Sequence, residues 1–120
     1  MSRKVSIEIT TEQNIGVVSL KSTSITDTEG IITASKQIKE FIEKKHPAGL
    51  VVDFEPVKFF SSQVLGMLLD IRAKLEIYNG EVVISAINPQ LHRIFKITNL
   101  DKIFRFFPDK QTAIKAISSN

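Results

Sequence analysis

The pattern of apolar and polar residues predicts a buried strand followed by an amphipathic helix at the centre of the chain. Residues 50–54 form an apolar run of strand length. Glu55 and Pro56 then end regular pairing, because proline has no backbone donor. Farther on, apolar residues recur at the alternating spacing of a helix face. The residues of that face are Val64, Leu68, Ile71, Leu75 and Tyr78.

The segment between this strand and this helix is the best candidate for a functional loop. Ser61 and Ser62 directly precede the helical pattern, so one of them is expected to cap the helix N-terminus. Free backbone N–H groups at the start of a helix are a common place for binding sites in α/β proteins. A helix cap without any further role explains the two serines equally well.

The residues before the central strand predict a hairpin. Apolar and polar residues alternate over residues 5–9, and an apolar run at residues 15–20 follows a polar turn at residues 11–14. Residues 21–25 are then expected to form a polar connection without regular structure.

A first helix is expected to follow that connection. Thr26 and Glu29 have the Thr-x-x-Glu spacing of a capping box, and Pro47 stops the helix. Its inward face is expected to consist of Ile31, Ala34, Ile38, Phe41 and Ile42.

Two more strand and helix pairs are expected after the central helix. Gly80 is expected to take the left-handed conformation that ends the central helix, and residues 82–87 form a largely buried strand. Asn88 caps a short helix, residues 103–107 form the last strand, and a final helix follows. The inward residues of these two helices are expected to be Leu91, Ile94, Phe95, Ala113, Ile114 and Ile117.

The expected fold is a single α/β domain over residues 1–120. The element order is β-β-α-β-α-β-α-β-α, with about five strands and about four helices. Helical crossovers between buried strands imply parallel neighbours, while the leading hairpin adds an antiparallel pair. The sheet is therefore expected to be mixed and mostly parallel.

Composition narrows the classes of function. The 120 residues contain no cysteine and two histidines in unrelated segments, so we expect neither a metal site nor a cofactor. The net charge of +3 comes from scattered residues without a basic block, so we expect no nucleic-acid partner. No apolar run is long enough to span a membrane and residues 1–4 do not resemble a signal peptide, so we expect a cytoplasmic protein without a membrane partner.

The sequence contains no recognisable catalytic motif. It has no glycine-rich phosphate loop, no His-Glu-x-x-His and no Gly-x-Ser-x-Gly. Asp53, at the end of the central strand, is the best carboxylate candidate, but no histidine or lysine partner is evident. We expect Asp53 to accept hydrogen bonds from the loop that follows the strand, and we expect the protein not to be an enzyme.

Two separated segments have a recognisable sequence. Residues 52–69 read VDFEPVKFFSSQVLGMLL, and residues 87–100 read INPQLHRIFKITNL. The first resembles the core segment of the STAS domain, which is found in bacterial anti-sigma factor antagonists and sulfate transporters. The second resembles the third helix of that domain and the following turn. The resemblance covers essentially the whole chain and implies the STAS fold.

The resemblance also implies a switch that this sequence alters. In antagonists of this family, a partner kinase that is itself the anti-sigma factor phosphorylates a serine at the start of the central helix. The family segment reads Asp-Ser-Ser-Gly-Leu-Gly, and Asp53 and Gly66 set the register in which Gln63 occupies the acceptor position. Ser62 then matches the neighbouring serine and Ser61 the acidic residue. A shift by one residue places Ser62 at the acceptor position but moves Gly66 off its match.

Two classes of function follow from these observations. The first is a protein-interaction module in a partner-switching or signalling pathway, bound by an anti-sigma factor or another serine-kinase-like protein; a homodimer is left open. Its binding loop consists of Phe59, Phe60, Ser61, Ser62 and Gln63, with Ser62 and then Ser61 as candidates for phosphorylation. The alternative is a STAS domain that senses a small molecule, a nucleotide or a lipid, near the strand ends.

Overall fold

The computed structural model describes residues 5–118, so residues 1–4, where the sequence argued against a signal peptide, lie outside the described range. The strands are β1 (Ile7–Glu12), β2 (Ile15–Leu20), β3 (Ser24–Ile25), β4 (Gly49–Asp53), β5 (Phe59–Phe60), β6 (Glu81–Ser85) and β7 (Arg105–Phe107). The helices are α1 (Thr28–Lys45), α2 (Gln63–Glu76), α3 (Pro89–Ile97) and α4 (Lys110–Ser118), with a 3-10 turn at Leu100–Lys102.

The main sheet has five strands in the order β1-β2-β4-β6-β7. β1 pairs antiparallel with β2, whereas β2, β4, β6 and β7 are parallel neighbours. Each parallel step is bridged by a helix, because parallel strands need a crossover connection. The expected mixed, mostly parallel sheet with four helices is therefore confirmed.

A second, two-stranded sheet was not expected from the sequence. Ser24–Ile25 pairs parallel with Phe59–Phe60, so the segment expected to be an irregular connection contains β3. Strands of two residues give no apolar period, which is why the pattern did not reveal them. This small ladder matters because β5 forms the start of the candidate binding loop.

The turn of the leading hairpin is shorter than expected. β1 continues to Glu12, and only Gln13 and Asn14 connect it to β2. Both turn residues have positive φ, 53° and 64°, as in the two-residue turns whose twist matches a hairpin. The prediction of a four-residue turn was therefore wrong.

The caps of the first two helices differ from expectation in detail. Asp27 rather than Thr26 caps α1, where its carboxylate accepts the Gly30 N–H at 2.8 Å. After α2, Asn79 rather than Gly80 takes the left-handed conformation, with φ 59°. Asparagine is the other residue type that adopts this conformation readily.

The sheet has one core on each face. Helices α1, α2 and α3 cover the face that carries Val18, Val52 and Ile84. Helix α4 covers the opposite face, where Val17 and Val51 lie. The inward helix positions expected from the sequence are confirmed as buried, apart from the partly buried Phe41, Tyr78 and Ile94.

Candidate functional site

The candidate binding loop, residues 59–63, is held in place by backbone hydrogen bonds at its start. Phe59–Phe60 pairs with β3, and the Ser61 N–H donates to the Ile25 carbonyl at 3.0 Å. The Phe59 N–H also donates to the Thr23 carbonyl at 3.2 Å. The loop therefore enters α2 with a defined shape.

The two phenylalanines of this loop point in opposite directions. Phe59 is 57% exposed, whereas Phe60 is 4% exposed. The Phe60 ring meets Phe54 and Phe95 edge to face, with centroids 5.9 Å and 6.1 Å apart. Adjacent residues of a strand face opposite sides, so Phe59 offers an apolar contact to a partner while Phe60 anchors the loop to the core.

Neither serine caps α2 through its side chain, contrary to expectation. Ser62 occupies the N-cap position in a helical conformation, but its side chain makes no capping hydrogen bond. The Ser61 hydroxyl oxygen is buried without a hydrogen-bond partner. Backbone bonds form the turn instead, with the Val64 N–H donating to the Ser61 carbonyl at 3.0 Å. The Ser62 hydroxyl is therefore exposed and uncommitted, and that of Ser61 is enclosed.

Gln63 belongs to two surfaces, because it ends the loop and also lines a groove between α1 and α2. This α1–α2 groove encloses about 660 Å³. Its residues are Ile31, Ile32, Ser35, Lys36, Lys39, Glu40 and Glu43 from α1, and Gln63, Gly66, Met67, Asp70 and Lys74 from α2. The α1 side of the site was not anticipated, although Ile32 is apolar and lies off the inward stripe.

Ion pairs close one end of the α1–α2 groove. Lys39 lies 3.7 Å from Asp70, and Lys74 donates to Glu43 at 2.6 Å. This hydrogen bond, followed by the positive charge of Lys74, lowers the pKa of Glu43 below its ordinary value.

The ion pairs also show how the two helices align. In both pairs the α2 residue follows its α1 partner by 31 positions. The same offset places Ile32 opposite Gln63 and Ser35 opposite Gly66.

The other end of the groove is apolar and open. Ile32 is 57% exposed. A Cβ added to Gly66 would meet no atom of residues 5–118 within 4 Å apart from its chain neighbours and the backbone of its own helix, so the space above this residue is open there. Gly66 on α2 has no side chain and Ser35 on α1 has a short one, so the backbones of both helices are accessible at this end. Another molecule can therefore approach them closely.

Asp53 serves the fold. Its side chain is nearly buried and accepts a hydrogen bond from the Ser85 hydroxyl at 2.6 Å. The donor therefore lies on the neighbouring strand β6 rather than in the following loop. Ser19, on β2, is aligned with Asp53 in the sheet register. These contacts contain no group able to act as a general base partner.

Within residues 5–118 there is no cluster of three or more histidine, cysteine or acidic side chains suited to a metal ion. None of the helices in that range is both long and apolar enough to cross a membrane.

Comparison with known proteins identifies the family. The family model described as the STAS domain matches residues 6–113. An anti-sigma F factor antagonist of Paenibacillus polymyxa is 22% identical over 110 residues, which cover 92% of this chain and 94% of that protein.

Solved structures show the same fold. An anti-sigma-factor antagonist (STAS) domain protein from Planctomyces limnophilus has a TM-score of 0.85 at 21% identity, covering 94% of this chain and 98% of that one. The Bacillus cell fate determinant SpoIIAA in its phosphorylated form has a TM-score of 0.73 at 18% identity, covering 93% and 99%. The family model spans most of the chain, both resembling segments lie within the residues that it matches, and the solved structures show the same fold. The chain therefore belongs to the STAS domain family.

Proposed function

We propose that this protein is a non-enzymatic interaction module of the anti-sigma factor antagonist type, acting in the bacterial cytoplasm. Its partner is an anti-sigma factor or another serine-kinase-like signalling protein. The observation that carries this proposal is the exposed Phe59 on a loop that a backbone ladder holds at the start of α2. A preformed loop with an exposed aromatic side chain binds without a large ordering cost.

The proposed contact surface extends from this loop into the open end of the α1–α2 groove. Gln63 connects the two, since it follows Ser62 in the chain and lines the groove together with Ile32. Phe59 and Ile32 are the apolar contacts, each 57% exposed. Exposed apolar side chains rimmed by polar ones are typical of protein-binding surfaces.

Replacing Phe59 or Ile32 by alanine is expected to weaken partner binding about tenfold or more, because each truncation removes an apolar contact at the centre of the surface. Isothermal titration of the purified chain with a serine-kinase-like anti-sigma factor from the same genome measures this effect. Ile77→Ala is the matched control, since Ile77 is 71% exposed and lies at the other end of α2. Equal losses for Ile77→Ala and Phe59→Ala, or unchanged binding in all three variants, would contradict the proposed surface.

We propose that the loop is not regulated by phosphorylation at position 63, where the family segment has a serine. Gln63 has no hydroxyl to accept phosphate, and its amide both donates and accepts hydrogen bonds. The Ser61 hydroxyl is buried, which leaves Ser62 as the accessible hydroxyl of the loop. We therefore propose a loop that binds its partner constitutively, with Ser62 as the remaining site for kinase control.

Incubation with the partner kinase and ATP, followed by peptide mapping, is expected to show no phosphate on Ser61 and no stoichiometric phosphate on Ser62. Partner binding is expected to fall most in Gln63→Glu, since a carboxylate loses the amide donor and adds a charge at the contact. Ser61→Asp and Ser62→Asp serve as comparisons. Stoichiometric phosphate on Ser62, with binding lost in Ser62→Asp alone, would show that the usual switch operates through Ser62, because phosphate adds about −1.5 to −2 charges there.

The α1–α2 groove also supports a second candidate function, the sensing of a small molecule. Its volume of about 660 Å³ lies within the range of ligand sites. The groove is open along the surface, which favours a protein contact over a ligand that must be largely enclosed. Saturable chemical-shift changes at Ile32 and Gly66 with a nucleotide or a lipid, at unchanged partner affinity, would favour the sensing function.

A further inference from the structure

A second exposed surface lies where α3 ends and turns into the last strand. Ile97 is 73% exposed, the highest value among the large apolar side chains of residues 5–118, and Ile103 is 40% exposed. Exposed cationic residues accompany them. We call this surface the basic corner; its residues are Arg93, Lys96, Ile97, Lys102 and Ile103.

Helix geometry places the first part of the basic corner on one face. The inward side of α3 buries Leu91 and Phe95. Arg93 and Ile97 are one helical turn apart, and Lys96 adjoins Ile97 on the outward side. The outer surface of the end of α3 is therefore both cationic and apolar.

A tight turn brings the rest of the basic corner close to the end of α3. The Asn99 N–H donates to the Lys96 carbonyl at 3.1 Å, and Asn99 has positive φ, 62°. The Ile103 N–H then donates to the Leu100 carbonyl at 3.0 Å. These successive short-range bonds keep the chain compact, so Ile103 stays at the same corner of the molecule as Ile97.

The positive charge of the basic corner is not neutralised by ion pairs in the described part of the chain. Arg93, Lys96 and Lys102 have no salt bridge there, and the one carboxylate within the turn, Asp101, leaves two net positive charges. Arg105, just beyond the corner, is paired with Glu81 through two hydrogen bonds of 2.7 Å. Uncompensated charge thus coincides with the exposed isoleucines.

We propose that the basic corner binds the surface of an anionic lipid bilayer. Cations near an anionic headgroup layer are attracted electrostatically, while exposed aliphatic side chains gain by entering the boundary of the acyl region. A nucleic acid would be attracted by the cationic side chains but would gain nothing from the exposed isoleucines. Proteins bind single strands through aromatic stacking, which two isoleucines do not provide. The sequence predicted no membrane partner because no apolar run is long enough to span a bilayer. Binding to the bilayer surface needs no such run, so this proposal departs from that prediction.

The placement of the basic corner leaves the proposed partner-binding loop free. At the other end of α3, the Asn88 side-chain amide donates to the Val57 carbonyl at 3.2 Å, just before β5. Ile97 is the last of the nine residues of α3, so it lies about 13 Å along the helix axis from Asn88. Membrane binding is therefore independent of the proposed function and is tested without any protein partner.

Co-sedimentation of the full chain with vesicles tests the proposal. The protein is expected to bind vesicles of phosphatidylcholine mixed with phosphatidylglycerol, not vesicles of phosphatidylcholine alone, and to dissociate at about 0.5 M salt. Arg93→Gln with Lys96→Gln is expected to lower the partition coefficient about 25-fold, or about fivefold per charge. Ile97→Ser is expected to lower it about tenfold.

Two matched controls separate the basic corner from general surface effects. Ile77→Ser removes an isoleucine of nearly equal exposure, 71%, and is expected to bind vesicles like the unmodified chain. Lys44→Gln with Lys45→Gln removes the same charge from the end of α1 and is expected to reduce binding less than twofold, with circular dichroism confirming that each variant is folded. No binding to the mixed vesicles, or equal losses in the controls, would overturn the proposal. Preferential binding to a homopolymer RNA, unaffected by Ile97→Ser, would overturn it in favour of nucleic acid.

Discussion

Replacing Phe60 by alanine is expected to lower the free energy of unfolding by about 3–5 kcal/mol. The Phe60 ring is 4% exposed and packs edge to face against Phe54 and Phe95. Its truncation leaves a cavity beneath the binding loop, because Phe95 is itself fixed by Phe104 and Phe106. Urea unfolding followed by circular dichroism measures the change.

The neighbouring residue is the control for this substitution. Phe59→Ala is expected to change the free energy of unfolding by less than about 0.5 kcal/mol, since the Phe59 side chain is mostly in solvent. The two variants therefore distinguish the residue that anchors the loop to the core, Phe60, from the residue proposed to contact the partner, Phe59. Comparable destabilisation by both substitutions would mean that the Phe59 side chain, like that of Phe60, packs in the core.

Leu68→Ala is expected to lower the free energy of unfolding by about 2–5 kcal/mol. Leu68 is fully buried on the inward face of α2, in the core shared with α1 and α3. The adjacent Leu69 is 37% exposed.

Leu69→Ala makes the same chemical change about 100° around the axis of α2. It is expected to cost less than Leu68→Ala, because Leu69 is already 37% exposed and its truncation removes less buried apolar area. Chemical denaturation of both variants gives the comparison. A larger loss for Leu69→Ala than for Leu68→Ala would show that the helix presents a different face to the sheet.

The period of apolar residues was sufficient to predict the five strands of the main sheet, the four helices and their order, and the inward helix faces, but not the two short strands β3 and β5. Leu68, Ile71 and Leu75 recur at the spacing of one helix face, and burial of that face is what stabilises α2. Details that depend on a single contact were not predictable. Both Thr26 and Asp27 are good capping residues. Only the hydrogen bond from the Gly30 N–H to the Asp27 carboxylate, seen in the structure, distinguishes them.

Only the part of the candidate site that is contiguous in sequence could be predicted. The run from Phe59 to Gln63 is contiguous and its position before a helix is readable from the sequence. The α1 half of the groove depends on how the two helices pack, which brings Ile32 and Gln63 into one groove. The different burial of Phe59 and Phe60 likewise depends on β3, a partner of two residues without a sequence pattern.

If the open end of the groove binds a partner as proposed, Gly66 is a compromise between the stability of the isolated chain and that binding. A glycine inside a helix destabilises it by roughly 1 kcal/mol relative to alanine, because glycine has more backbone freedom to lose. At position 66 the fold gains nothing in return, since an added methyl group would meet empty space. A chain optimised for stability alone would carry alanine there, whereas a chain that must admit another molecule's backbone keeps glycine. Under the proposed function, stability and partner binding therefore favour different residues at position 66.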